Sequence, residues 1–345
     1  MTDPLALLRF EVDDVVQDAV LEYGAITGVG PDEARETVDA VLAWYHHGTA
    51  PEPPAPERTH KRLIAELAQP FRLPDMTVRM GRLIDGLRQD PALRTALDYG
   101  GGSGKDSIIL GRAGYDVTYS DLLGEYTPLV AKRFELRGLD VRRIDVRDPE
   151  DRRYDIVNCM DVVEHVYDLE FVAADLVARL RTGGRLLCFP AFYNTWDGDH
   201  VEKNCAYRTF FEDMLEAVGM EIVDRFDAER RIGGTTTSVG PTTTRQALGL
   251  KQRRPAVLHL IRRRPESGTV EEEREEVRRE LYRVSRRRSA KLARSSLGFL
   301  PIVAAMAVLH PVPRHRARLR NKRDGLFDNA IDGLAVWRLS RHQMS

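Results

Sequence analysis

Cysteine is scarce in this 345-residue sequence, which carries Cys159, Cys188 and Cys205 and no others. Their odd number and wide spacing provide neither a disulfide framework nor a metal-ligand pattern. Long apolar runs are missing too. A membrane-spanning helix needs about 18 such residues or more, and the best stretch, 297–309, is shorter and contains Pro301. The opening segment, MTDPLALLRFEVDDVV, puts acids where an export signal needs bases followed by an apolar segment. These absences lead to the expectation of a soluble, cytoplasmic chain with reduced thiols. Net charge is almost absent as well, at −1, but it is unevenly spread. Residues 1–250 are acidic, whereas 251–323 hold 21 Lys/Arg against 7 Asp/Glu.

What is present is a hydrophobic content of 42%, enough for a real core. Residues 4–47 read as helical. Within them Pro31, Asp32 and Glu33 mark a helix start, and Ala34, Val38, Val41, Leu42 and Tyr45 fall on one face. GTAPEPPAPE at 48–57 reads as a linker, followed by helices near 60–69 and 76–88. From residue 94 short apolar strands alternate with helical spacers, the texture of a parallel α/β sheet. Six strands are predicted, at 95–99, 116–120, 141–144, 154–160, 185–189 and 221–225. After 226 come a Gly/Thr-rich loop and a charged helix near 269–294, with acids leading and bases trailing. The apolar run 297–309 comes next, and GLAVWRLS at 333–340 reads as a buried strand.

The strongest motif is Leu97-Asp98-Tyr99-Gly100-Gly101-Gly102-Ser103-Gly104, between a strand and a helix. Such a turn, at the carboxyl end of a strand, lets backbone approach a ligand closely. Two other glycine motifs fail on register. A GxGxxG fingerprint from Gly100 requires glycine at 105, which is Lys105. A phosphate-binding GxxxxGK[ST] requires glycine at 99 and Ser or Thr at 106, which are Tyr99 and Asp106.

Asp98-x-Gly100-x-Gly102-x-Gly104 resembles the first motif of class I S-adenosylmethionine-dependent methyltransferases. The resemblance implies a doubly wound, seven-stranded, Rossmann-like sheet with S-adenosylmethionine as cofactor. It also implies that Asp98, Gly100, Gly102 and Gly104 form the cofactor loop. Asp121, which closes the second strand, would bind the ribose hydroxyls, with Leu122 beside it. Asp145, after the third strand, would take the adenine amino group while the Val146 backbone meets the ring. YDIVNCMDVVEHV at 154–166 is similar to the family's fourth strand and the loop after it, and puts Asp161 against the cofactor. The family sheet ends in an antiparallel strand beside the fifth, a place that 333–340 is expected to fill. The expected organisation is therefore a helical cap (1–92), the core (93–226), a basic, mostly helical insertion (227–332) and the final core strand (333–345).

Methyl transfer from a sulfonium is an in-line displacement that needs neither metal nor covalent intermediate. Acceptor-side candidates for a general base are His165 and His200, in loops after strand carboxyl ends. Tyr193, Trp196 and Tyr207 are expected to shape the pocket or simply pack. A metal is not expected, because Asp161 would have to join the distant Asp328 and Asn329. The leading expectation is methylation of a small organic acceptor. A non-catalytic cofactor-binding scaffold and a nucleic-acid methyltransferase are the alternatives. The basic stretch reads first as a cap balancing an acidic body, and otherwise as contacting an acidic ligand, a membrane surface or nucleic acid.

Overall fold

The computed structural model describes residues 15–47, 74–124, 127–148, 150–192, 201, 204, 207, 210–227, 231–232, 235–236 and 256–297. The chain divides into two compact units. One holds the described parts of Met1–Pro149 with Tyr154–Asn158, and the other holds most of the later residues.

In the first unit, α1 (Val15–Thr27) and α2 (Pro31–His47) form a helical hairpin. Gly28, at φ 77°, ends α1 with its N–H on the Gly24 carbonyl, and Pro31 opens α2. Ala19, Val20 and Tyr23 pack against Ala34, Val38 and Val41 at helical spacing. Burying the two α2 valines contributes about 1.5–3 kcal/mol each. Beyond them come α3 (Pro74–Leu87), β1 (Thr95–Tyr99), α4 (Lys105–Arg112), β2 (Asp116–Asp121), α5 (Thr127–Leu136) and β3 (Arg142–Asp145). The fourth strand, β4 (Tyr154–Met160), pairs in parallel with β1, with Leu97 opposite Val157. β1 and β2 also run parallel, in a register that sets Asp98 opposite Tyr119. Near-continuous apolar burial along these strands is what a parallel sheet covered on both faces demands.

The second unit adds α6 (Leu169–Ala178), β5 (Leu180–Phe189), α7 (Phe211–Ala217), β6 (Met220–Asp227), β7 (Ala256–Arg262) and α8 (Val270–Leu297). The sheet has seven strands in the order β3-β2-β1-β4-β5-β7-β6. β7 runs antiparallel to both of its neighbours, setting Leu260 opposite Leu186 of β5 and Ile222 of β6. The expected topology is present, but a different segment supplies its last strand. Ala256–Arg262, every residue of which is buried, fills the position assigned in sequence to 333–340. Residues 333–340 lie outside the described residues. The supposed insertion therefore contains a core strand.

The charged helix α8 opens with a capping box. Glu272 accepts the Thr269 N–H at 2.9 Å, and the Glu272 N–H donates to the Thr269 hydroxyl at 3.2 Å. Its bases pair with acids of the same unit: Arg274 with Asp175 (3.1 Å), Arg278 with Asp168 (2.7 Å) and Arg288 with Asp213 (3.0 Å). Among the described residues, no helix is long and apolar enough to cross a membrane.

Candidate functional site

The glycine loop is built on β1 and held from β2. Gly100 and Gly101 donate to the Ser120 carbonyl at 2.7 and 3.2 Å, and Gly102 donates to Asp121 Oδ2 at 2.7 Å. The Tyr119 hydroxyl donates to the Gly102 carbonyl at 2.9 Å. Two positions show why side chains are excluded. A Cβ on Gly101 would stand 2.6 Å from the Tyr119 ring and 2.9 Å from Asp98. Gly104 sits at φ 75°, and a Cβ there would meet Phe134 and Val130 at 2.9 Å.

Asp98 lies beneath this loop, buried, accepting from the Ser107 hydroxyl (2.6 Å) and the Asn158 amide (2.9 Å). Burial, and then the nearby charge of Asp106, push its carboxyl up to about 7. Asp98 thereby ties the end of β1 to α4 and β4. Asp121 accepts from both Gly102 and Leu122 yet keeps lone pairs for further donors. Beside it Leu122 is 61% exposed, an apolar platform at a strand end. Asp145 accepts from the Arg147 backbone (2.9 Å) and guanidinium (2.7 Å), which hold its carboxyl well below the usual range. The Val146 N–H goes to the Asp121 carbonyl at 2.9 Å. Asp121, Leu122, Asp145, Val146 and the glycine loop thus converge on one set of strand ends. A glycine turn too tightly backed for a Cβ at Gly101 and Gly104, flanked by a carboxylate with lone pairs to spare, fits an adenosyl ligand.

Sequence reasoning missed the support behind this loop. Glu22 of α1, fully buried, meets Arg133 at 2.5 Å and Arg137 at 2.8 Å, and Arg133 also donates to the Ser103 carbonyl. Burial pushes the Glu22 carboxyl up, but the two guanidinium charges outweigh it and hold it below the ordinary value. The available signal was an acid on the apolar stripe of α1. Asn158 was likewise legible as a polar residue in the middle of an apolar strand.

In the second unit the loop after β4 carries Asp161, Glu164 and His165. Asp161 is the one described non-glycine residue at positive φ, 58°, and its N–H donates to the Phe189 carbonyl at 3.2 Å. Glu164 is wholly buried and accepts the Ala191 N–H at 3.2 Å, whereas Asp161 and His165 are exposed. Burial, then the charge of Asp161, push the Glu164 carboxyl up. The Asn204 amide fastens the loop by donating to the Val163, Glu164 and Val166 carbonyls at 3.2, 3.3 and 2.7 Å. Tyr207 is buried against Phe192 and Phe210, with its hydroxyl on Glu170 at 2.6 Å. His200, Tyr193 and Trp196 lie outside the described residues, so the structure brings only His165 of the two expected bases to a described site.

Residues 57–223 match the family described as a methyltransferase domain. No curated protein matches the sequence. Among solved structures, the O-methyltransferase segment of StiE is 18% identical over 71% of this chain and 88% of that one, with a TM-score of 0.40. The N-methyltransferase NodS from Bradyrhizobium japonicum, solved with S-adenosyl-L-homocysteine, is 16% identical over 60% of this chain and 98% of its own, with a TM-score of 0.40. The [4+2]-cyclase SpnF is 19% identical, covering 54% of this chain and 81% of its own, with a TM-score of 0.39.

Proposed function

We propose that the chain, whose residues 57–223 match a methyltransferase domain, methylates a small organic acceptor at oxygen, nitrogen or carbon, as a step in biosynthesis. The observation that carries this reading is the closed glycine cradle beside Asp121. Asp121 offers its remaining lone pairs to the ribose hydroxyls, Leu122 lies along the adenine, and Asp145 with Val146 flanks the ring. The donor supplies a methyl group already activated as a sulfonium, so the protein's task is alignment and exclusion of water. In this reading His165 or His200, which follow the fourth and fifth strands in sequence, takes the proton of an acceptor hydroxyl.

The test is mass spectrometry of a candidate-metabolite mixture incubated with isotope-labelled methyl donor. Label transfer to an acceptor, reduced roughly 10²–10⁴-fold in His200→Ala with cofactor affinity kept, is the expected result. Cofactor binding without transfer to any acceptor would favour a non-catalytic binding role.

A further inference from the structure

The loop after β4 gathers three side chains whose grouping simple methyl transfer does not require. One ligand atom from each of Asp161, Glu164 and His165 lies within 4.8 Å of the other two. Exposed acids cluster on many proteins without consequence, but Glu164 is not exposed. It has no solvent-accessible surface, and while its Oε1 takes the Ala191 N–H, its Oε2 is sealed in with no hydrogen-bond donor. A buried carboxylate oxygen facing a second carboxylate is costly unless a proton or a cation stands between them.

We propose that Asp161, Glu164 and His165 bind a divalent transition-metal ion. Two carboxylates and one imidazole suit Mn²⁺, Fe²⁺ or Zn²⁺ better than Ca²⁺, which takes oxygen alone. Ligand atoms about 2.1 Å from a shared ion stand no more than about 4.2 Å apart. Closing the cluster from 4.8 Å to that limit is an approach of about 0.6 Å, and Asp161 and His165 are the exposed members of the three. Asn204 and the Ala191 N–H hold Glu164 in place, as the supporting layer that metal ligands require. Three protein ligands leave coordination positions open for water or an acceptor oxygen, whose proton the ion would loosen. His165 then belongs to the ion, and His200 remains as the proton acceptor. In sequence Asp161 had only Asp328 and Asn329 as candidate companions, and the structure gives it nearer ones.

The experiment titrates Mn²⁺ into the full-length, chelator-stripped protein and follows free Mn²⁺ by electron paramagnetic resonance. Neither methyl donor nor acceptor is present, so the result is independent of the transferase reading. One ion per chain is expected, with affinity at least about tenfold weaker in Asp161→Asn and in His165→Ala. Both substitutions are at exposed positions, and circular dichroism verifies that the variants are folded. Glu164→Gln should abolish binding, but the two exposed variants decide the question, because a buried change can also disturb folding. Absence of stoichiometric binding, or equal affinity in the folded variants, would overturn the proposal.

Discussion

Arg262 of β7 and Glu273 of α8 meet with nitrogen and oxygen 2.5 Å apart, and neither side chain is reached by solvent. The same guanidinium donates to the Val177 and Leu180 carbonyls at 2.8 and 2.5 Å, and Glu273 also receives Arg153 at 3.0 Å. The pair thus joins the inserted strand, the end of α6 and the charged helix. Glu273→Ala would leave a buried cation uncompensated and should cost about 3–5 kcal/mol. Denaturant unfolding measures this, and a loss below about 1 kcal/mol would mean that water replaces the carboxylate.

β7 should behave as core. Leu260 is fully buried between β5 and β6, so Leu260→Ala should destabilise by about 2–5 kcal/mol. Were 333–340 the seventh strand, the same substitution would fall in a surface insertion and change the thermal midpoint little.

Asp121 anchors the glycine loop through Gly102 and faces the proposed ribose. Asp121→Ala should weaken S-adenosylmethionine binding by about 1.5–3 kcal/mol, the range for losing charge-assisted hydrogen bonds. Calorimetry on the folded variant reads this directly, and unchanged affinity would remove Asp121 from the site.

Asp98 gives stability a pH dependence of predictable sign. Its carboxyl is raised in the folded protein to about 7 from an ordinary value of 3.8. The folded state therefore holds the proton more tightly than the unfolded chain. This contribution is complete below about pH 4, declines as pH rises towards about 7 and levels off above it. Asp98→Asn should flatten that slope when thermal midpoints are compared from about pH 4 to about pH 8. Parallel curves for the two proteins would assign the slope to other groups.

Strands β1 to β4 were legible to within a residue or two because each ends at a glycine or an acid, although β3, RRID, is itself no apolar run. The glycine loop was legible because its positions admit no side chain. β7 was not: AVLHLIR lies between KQRRP and RRP, and the basic flanks masked seven buried residues. Glu22 and Arg133 stand 111 positions apart, and no local period connects an acid on one helix to a base on another. Glu164 looked like an ordinary neighbour of His165, since nothing in VVEHV distinguishes a buried acid from an exposed one. Local signals mark backbone conformation, whereas buried charges are chosen by distant partners.

The position of β7 also sets a timetable for biosynthesis. β5 and β6 do not pair with each other, and the strand that joins them is translated after both. As the chain leaves the ribosome, these two strands must wait with open edges across a gap one strand wide. Unpaired edges of this kind invite pairing with other chains. The interval ends only when residue 262 has emerged and one segment closes both edges at once. Synonymous codons or stalls between residues 227 and 256 would lengthen that exposure, so translation rate, with no change in sequence, would govern how much of the protein reaches its folded state.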